Sequence, residues 1–411
     1  MKKNRTSLYL SILSVLLASG IGYYWHSAGL DDITVINAAA AVFIAGLPLP
    51  YMLGKLLPYT RGARQAKKND ITLASDSQLA EIGNIDTLIL ARHGVITEGH
   101  PYVSNLYPAG ISQNALLSLA ASAEKQATHP LGRAIYETAS QRGLQILEAN
   151  TFTEIPGCGV EAIVGRNSIR VGTLPWLKRE GIDISAELIT KNDQLAQKGH
   201  STVFVANGKY CRGIITIDDA LSEDTLKAIR KLKRQHIHTV MLTRENKRTA
   251  ETIGKKADID AAHGQLTVEG KLREIQLLKA RGTGVAFVGR GQTNPEIAKA
   301  VDALIELAPA PKTMPVTNEM DIADSPAEPH NSHAIYLHSG LLWDFAALQE
   351  IGKQTLSRIQ TNKLISLITF LLILPPAAGA FYTFGFPFLP AWGSLAGQGL
   401  ALILVTINSL R

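Results

Sequence analysis

The sequence is poor in cysteine. Cys158 and Cys211 are the two present in 411 residues, and they match neither a disulfide framework nor a zinc-ligand spacing. A reducing compartment is therefore expected for the region that holds them. Charge is scarce as well, with Asp, Glu, Lys and Arg at 18% against 46% hydrophobic residues. That balance excludes an ordinary soluble enzyme along the whole length, and equally a pure membrane bundle. A mixture is expected, in a chain long enough for two or three domains. The excess of base is small, +6, and Lys and Arg gather beside apolar segments rather than in one run. This pattern favours membrane topology over nucleic-acid binding. The basic cluster 226–234 reads equally as a solvated surface.

What the sequence does have is four apolar stretches, three of them without a charged residue. Residues 7–25 follow Lys2, Lys3 and Arg5, as a signal peptide would. No small-residue cleavage site follows, and Tyr23, Tyr24 and Trp25 read as an interfacial belt, so a retained helix is expected. The others are 34–57, 364–382 and 391–410, each long enough to span a bilayer. Lys55 near the end of the second begins a basic stretch that continues with Arg61, Arg64, Lys67 and Lys68, and Lys353, Arg358 and Lys363 precede the third. The positive-inside rule then puts both termini and the central region on the cytoplasmic side of an inner or plasma membrane.

Between the spans, strand-like runs at 86–91, 201–206, 212–217, 237–242 and 284–288 are followed by helical stretches at 223–235, 247–256 and 268–281. Such alternation predicts a parallel sheet with crossover helices. The stretch 108–206 interrupts it and reads as a small α+β domain. Residues 307–332, rich in Pro, Ala, Asn and His, read as a flexible loop.

The run LILARHG, residues 88–94, carries the sharpest question. A buried strand ending at a Gly turn commonly places a nucleophile or metal ligand at its carboxyl end. Here that residue is Ala91, which has no chemistry.

Taken in order, several segments resemble the C-terminal half of a heavy-metal (copper/zinc-type) P-type ATPase. DTLILARHGVITEGHPYV resembles the strand bearing the phosphorylated DKTGT motif, THPLGRAI the His-Pro motif, and IPGCGVEAIV the GxG loop. MLTRENKRTAETI resembles the TGD segment, FVGRGQTNPEIAKAVD the GDGxND segment, and INAAAAVFIAGLPLPYMLG the helix bearing Cys-Pro-Cys. The resemblance covers nearly all of this chain and about half of the family's usual length, without its actuator domain and four preceding helices. It implies an α/β haloacid dehalogenase-like parallel-sheet domain with an inserted α+β nucleotide-binding-like domain, flanked by two pairs of transmembrane helices. The expected division is 1–57 membrane, 58–107 and 207–350 phosphorylation-like, 108–206 nucleotide-binding-like and 351–411 membrane.

The departures fall on the chemistry. Ala91 replaces the phosphorylated aspartate, His93 and Val95 the two threonines after it, and Arg244-Glu245 the Gly-Asp of TGD. Arg290 and Asn294 replace the two aspartates of GDGxND, where magnesium would want carboxylates. Lys271 stands at the family's phosphate-contacting lysine. Arg244 and Arg290 read either as an anion site or as partners of Glu245. Leu47 and Leu49 flank Pro48 where cysteines would hold a soft metal, and leucine offers no lone pair; the Pro48 kink should remain.

The resemblance further implies that His129, Gly157, Gly159 and Gly172 line a nucleotide pocket, although Thr128 replaces the glutamate before His-Pro. Read by themselves, His129-Pro130 is a helix start and the glycines are turn residues. Three functions follow. The first is an inactive regulatory, scaffolding or assembly subunit working with another membrane protein or complex. It would require no cofactor, with adenine nucleotide bound at most weakly and without magnesium. The second is a metal cation-transporting half-pump completed by a partner chain, and the third a phosphatase. The last two both need a nucleophile at position 91, so the first is favoured.

Overall fold

A computed structural model describes residues 5–290, 293–308 and 333–411. The chain divides into two compact units, one of Met1–Asn84 with Ala347–Arg411 and the other of Ile85–Ala346.

The first unit is helical. Among the described residues, four helical segments are long and apolar enough to cross a membrane: Thr6–Ser27, Asp32–Lys68, Trp343–Ala377 and Ala391–Leu410. The second is broken, as its proline predicts, into Asp32–Gly46 and Leu49–Lys68. Pro48 and Pro50 have no N–H to give the preceding turn, so the helix breaks there, and the break leaves nearby carbonyls without helical donors. Gln398 covers two of them, its Nε2 donating to Ala45 O at 2.8 Å and Leu47 O at 3.3 Å. Nearby helices share a second polar knot. Asn362 Nδ2 donates to Gly54 O and to Ser409 Oγ, each at 2.9 Å, while Asn408 Nδ2 donates to Asn362 Oδ1 at 2.8 Å. Leu49–Lys68 runs on through the basic stretch to its cap at Asn69. Residues 58–84 therefore group with the helices rather than with the phosphorylation-like part. The span expected at 364–382 ends at Ala377, just after Pro375 and Pro376, in a helix that begins at Trp343.

The second unit has two lobes. Its strands are β1 (Ile85–Leu90), β2 (Tyr102–Pro108), β3 (Thr151–Ile155), β4 (Gly159–Val164), β5 (Asn167–Gly172), β6 (Ser201–Asn207), β7 (Tyr210–Asp218), β8 (His238–Leu242), β9 (Ala261–His263), β10 (Gly284–Arg290), β11 (Ala303–Leu307) and β12 (Ile335–Leu337). Six of them pair in parallel in the order β12-β11-β10-β1-β8-β9. Strand β1 sits inside this sheet, which is why Leu88, Ile89 and Leu90 are all buried and form a continuous apolar run. The helix Glu223–Arg234 buries Thr225, Ala228, Ile229 and Leu232, one stripe at helical spacing, and keeps its basic residues on other faces. Ser222 Oγ caps its start by accepting from Thr225 N.

The inserted lobe is an antiparallel sheet, β2-β7-β6-β5-β4-β3. Alternation along β6 sends Val205 to a core shared with Leu116, Ile135 and Val160, and Phe204 to one shared with Trp176, Leu177 and Leu188. This sheet reaches from Tyr102 to Asp218, beyond the 108–206 expected. The run 212–217 belongs to β7 here and not to the parallel sheet. A two-residue turn, Gly208-Lys209, joins β6 to β7, and a connection that short permits only an antiparallel pair. Of the loop expected at 307–332, Leu307 ends β11, and residues 309–332 lie outside the described residues.

Candidate functional site

Ala91 lies at the carboxyl end of β1, its N–H donating to Val288 O on β10 at 3.0 Å. A tight turn, Arg92–Ile96, follows and closes with Thr97 N donating to Arg92 O at 3.1 Å. Gly94 has φ +71°, and a Cβ there would sit 2.9 Å from Arg290 Cδ, so the turn requires glycine twice over.

Around Ala91 stands a closed network of charge. Arg92, with its side chain 3% exposed, meets Glu245 Oε1 through Nη1 at 2.6 Å. His93 lies between two carboxylates, Asp219 at 3.5 Å and Glu245 at 3.7 Å. Asp219 accepts from Thr97 Oγ1 at 2.6 Å, Gly99 N at 3.0 Å and His100 N at 3.2 Å. Burial opposes charge on all three titrating groups, and the mutual contacts win. Burial would lower His93, but hydrogen bonding to Asp219 and Glu245 raises it above the usual histidine range. Burial would raise Asp219, yet His93 and Thr97 hold it low; burial would raise Glu245, yet Arg92 and His93 hold it low. Glu245 thus pairs with Arg92 and His93. The pairing with Arg244 or Arg290 that the sequence allowed is not formed, because their side chains are directed elsewhere.

Arg290 ends β10 and spends its guanidinium on backbone. Nε donates to Gly94 O at 2.6 Å, Nη2 to Gly340 O at 2.8 Å, and Nη1 to Ala308 O. It thereby ties three loops at the strand ends. Asn294 caps the short helix Pro295–Ala300, accepting from Glu296 N at 2.9 Å and Ile297 N at 3.4 Å. Burial pushes Lys271 below the ordinary lysine range, assisted by the neighbouring charge of Arg244. Arg244 reaches the inserted lobe, its Nη1 lying 3.6 Å from where a Cβ on Gly157 would sit. These residues do not fit magnesium. A divalent ion here would meet a guanidinium at 290 and a methyl at 91, and the carboxylates nearby already serve His93 and Arg92.

In the inserted lobe, His129 caps the helix Pro130–Gln141, Nδ1 accepting from Gly132 N at 2.9 Å while Nε2 faces Glu124 Oε2 at 3.2 Å. Hydrogen bonding to buried Glu124 raises the His129 pKa against its own burial, and burial raises Glu124. Gly159 and Gly172 are direct partners across β4 and β5. A Cβ on Gly159 would fall 2.1 Å from Val171 O, and one on Gly172 would fall 2.4 Å from Cys158 O and 2.6 Å from Trp176 Cε3. Both positions therefore answer first to backbone approach beneath Trp176. Gly157 turns the chain with φ +76°. In the helical unit, Leu47 and Leu49 flank the break at Pro48. Asp219 escaped the sequence reading; its signal was a second carboxylate directly after an apolar strand, in the run IITIDD.

A parallel sheet whose β1 ends at the centre of this network, with a second lobe inserted after the following turn, defines the class. The family described as haloacid dehalogenase-like hydrolase matches residues 92–302, and the chain belongs to it. Within that class the chain is similar to heavy-metal P-type ATPases. It is 28% identical over 407 residues to the copper-exporting P-type ATPase of Vibrio cholerae, covering 98% of this chain and 42% of that protein. Against the probable copper-exporting P-type ATPase of Archaeoglobus fulgidus it is 28% identical, covering 97% and 47%. The chain thus spans about half the length of these relatives. The fold is that of a zinc-transporting PIB-type ATPase (TM-score 0.62, 23% identity, 98% of this chain and 62% of that one). The catalytic domain of a CPx-ATPase also matches, with TM-score 0.51 and 22% identity, over 70% of this chain and 97% of that one.

Proposed function

We propose that this membrane protein is a P-type ATPase-like pseudoenzyme, a regulatory, scaffolding or assembly subunit for another membrane protein or complex. The observation that carries this reading is Ala91 at the end of β1. Phosphoryl transfer to a protein needs a carboxylate aligned with the γ-phosphate and a metal ion beside it. A methyl group supplies neither, and Arg290 holds a fixed cation among the loops at the strand ends. The membrane unit and the cytoplasmic fold would then serve as surfaces, with both termini and the central region cytoplasmic. Adenine nucleotide, if taken up at the Gly157–Gly172 edge, would bind weakly through its base and without magnesium, so ATP, ADP and AMP would differ little.

Radiolabelled ATP followed by an acid gel tests the proposal. No labelled band is expected; an acid-stable, hydroxylamine-sensitive band would overturn it. Affinity purification from native membranes identifies the partner class. A half-pump would instead bring a metal ATPase half together with the labelled band.

A further inference from the structure

Three helices of the helical unit meet at the last turn of Ala391–Leu410, and each brings an arginine. Arg61, on Leu49–Lys68, donates from Nη1 to Ser409 O at 3.3 Å and from Nη2 to an oxygen of Arg411 at 3.1 Å. The backbone of Arg358, on Trp343–Ala377, accepts from Asn408 Nδ2 at 3.4 Å. Consecutive residues of one helix, Asn408 and Ser409, thus hold Arg358 and Arg61 at one level, and the charge of Arg61 bears on Arg358. Arg411 follows about one turn after Asn408 and is exposed.

The stretches 49–69 and 351–411 contain no Asp or Glu. Among the described residues, no Asp or Glu pairs with any of the three arginines, and the Arg358 guanidinium donates to no protein acceptor. Like charges gathered by uncharged hydrogen bonds repel one another, and an anion among them offsets that repulsion. The neighbouring surface is apolar. Ile403, Ile407 and Leu410 are all exposed, and spacings of four and three residues set them in one stripe along Ala391–Leu410. That stripe ends beside Arg411.

We propose that Arg61, Arg358 and Arg411 bind the headgroup phosphate of an anionic phospholipid, with its acyl chains along the stripe of Ile403, Ile407 and Leu410. The planar guanidinium fork matches phosphate oxygens, and bases where helices leave a membrane attract anionic lipid. Arg411 directly follows one candidate span, and Arg358 lies just before the apolar stretch that begins at Leu364. The group therefore stands at headgroup depth. An adjoining apolar stripe favours a lipid over free phosphate, which has nothing to lay there. The site does not involve Ala91 and stands whether the chain is a pseudoenzyme or part of a pump.

The test titrates dioctanoyl phosphatidylglycerol, dioctanoyl phosphatidylcholine and glycerol phosphate into the full chain in an uncharged detergent at constant ionic strength. Thermal shift and native mass spectrometry are the readouts. Phosphatidylglycerol is expected to raise the melting temperature saturably and to leave a stoichiometric adduct; phosphatidylcholine should do neither. Glycerol phosphate, which has the anion without the chains, should bind far more weakly. Arg358→Gln with Arg411→Gln should weaken phosphatidylglycerol about thirtyfold, the worth of two bases beside an anionic headgroup. Neither side chain is buried, so the changes spare the fold. Lys67→Gln with Lys68→Gln removes the same charge about two turns beyond Arg61 on its helix and should leave binding unchanged. Equal stabilisation by phosphatidylcholine, or none by phosphatidylglycerol, would overturn the proposal. So would glycerol phosphate binding as tightly as the lipid, or a loss with Lys67 and Lys68 as large as with the two arginines.

Discussion

Arg92 and Glu245 are hard to change singly. Their charges are 2.6 Å apart and largely out of water, so removing one strands the other. Arg92→Met or Glu245→Leu alone should cost about 3–5 kcal/mol, while the double replacement should recover most of it. Denaturant unfolding of the three variants checks this. His93 makes the same network depend on pH. Its pKa is raised on folding, so its contribution is complete below its ordinary value of about 6.5 and lost as pH climbs through the raised one. Asp219 and Glu245 are lowered, so theirs is complete above about 4.5 and lost as pH falls through the depressed values. Melting temperatures of the protein and of His93→Asn should differ most near about pH 6 and converge toward about pH 9. A constant gap across that range would show that the ring works by packing alone.

Among the elements, the β4–β5 pair is the least forgiving. Gly159 lies at φ +151° with Val171 O 2.1 Å from its missing Cβ. Backbone is the obstacle, so no rotamer relieves it, and Gly159→Ala should destabilise the inserted lobe by more than about 3 kcal/mol. Gly165→Ala, at an open turn where nothing lies within 4 Å, should cost about 1 kcal/mol. Urea unfolding followed by the fluorescence of buried Trp176 separates the two. The sequence made legible whatever is local. LIL before Ala91 marks a buried strand, Pro48 a broken helix, and His129-Pro130 a capped helix start. What it hid is distant: Asp219 meets Thr97 across 122 residues, and Arg290 meets Gly94 across 196. Periodicity carries no information on such pairs. The lobe's true edges were hidden for the same reason, since β2 and β7 pair across the whole insert.

At the scale of the whole molecule, the helical unit presents Leu47 and Leu49 at its break, where neither side chain can ligate a metal. Equilibrium dialysis of the purified chain with copper(I) or zinc should find no stoichiometric binding that survives removal of a purification tag. The second unit carries its cation within the chain. A dissociable ion fills its site according to its free concentration, and the stability it confers climbs with the logarithm of that concentration. Arg290 cannot dissociate. Its hold on Gly94 and Gly340 is intramolecular and does not draw on the surrounding magnesium. Melting in a chelator and melting in millimolar magnesium should therefore coincide, and a shift between them would reveal a site for the ion. A clamp of this kind travels with the chain: its effective concentration is set by the covalent structure and not by the free ions of the cell.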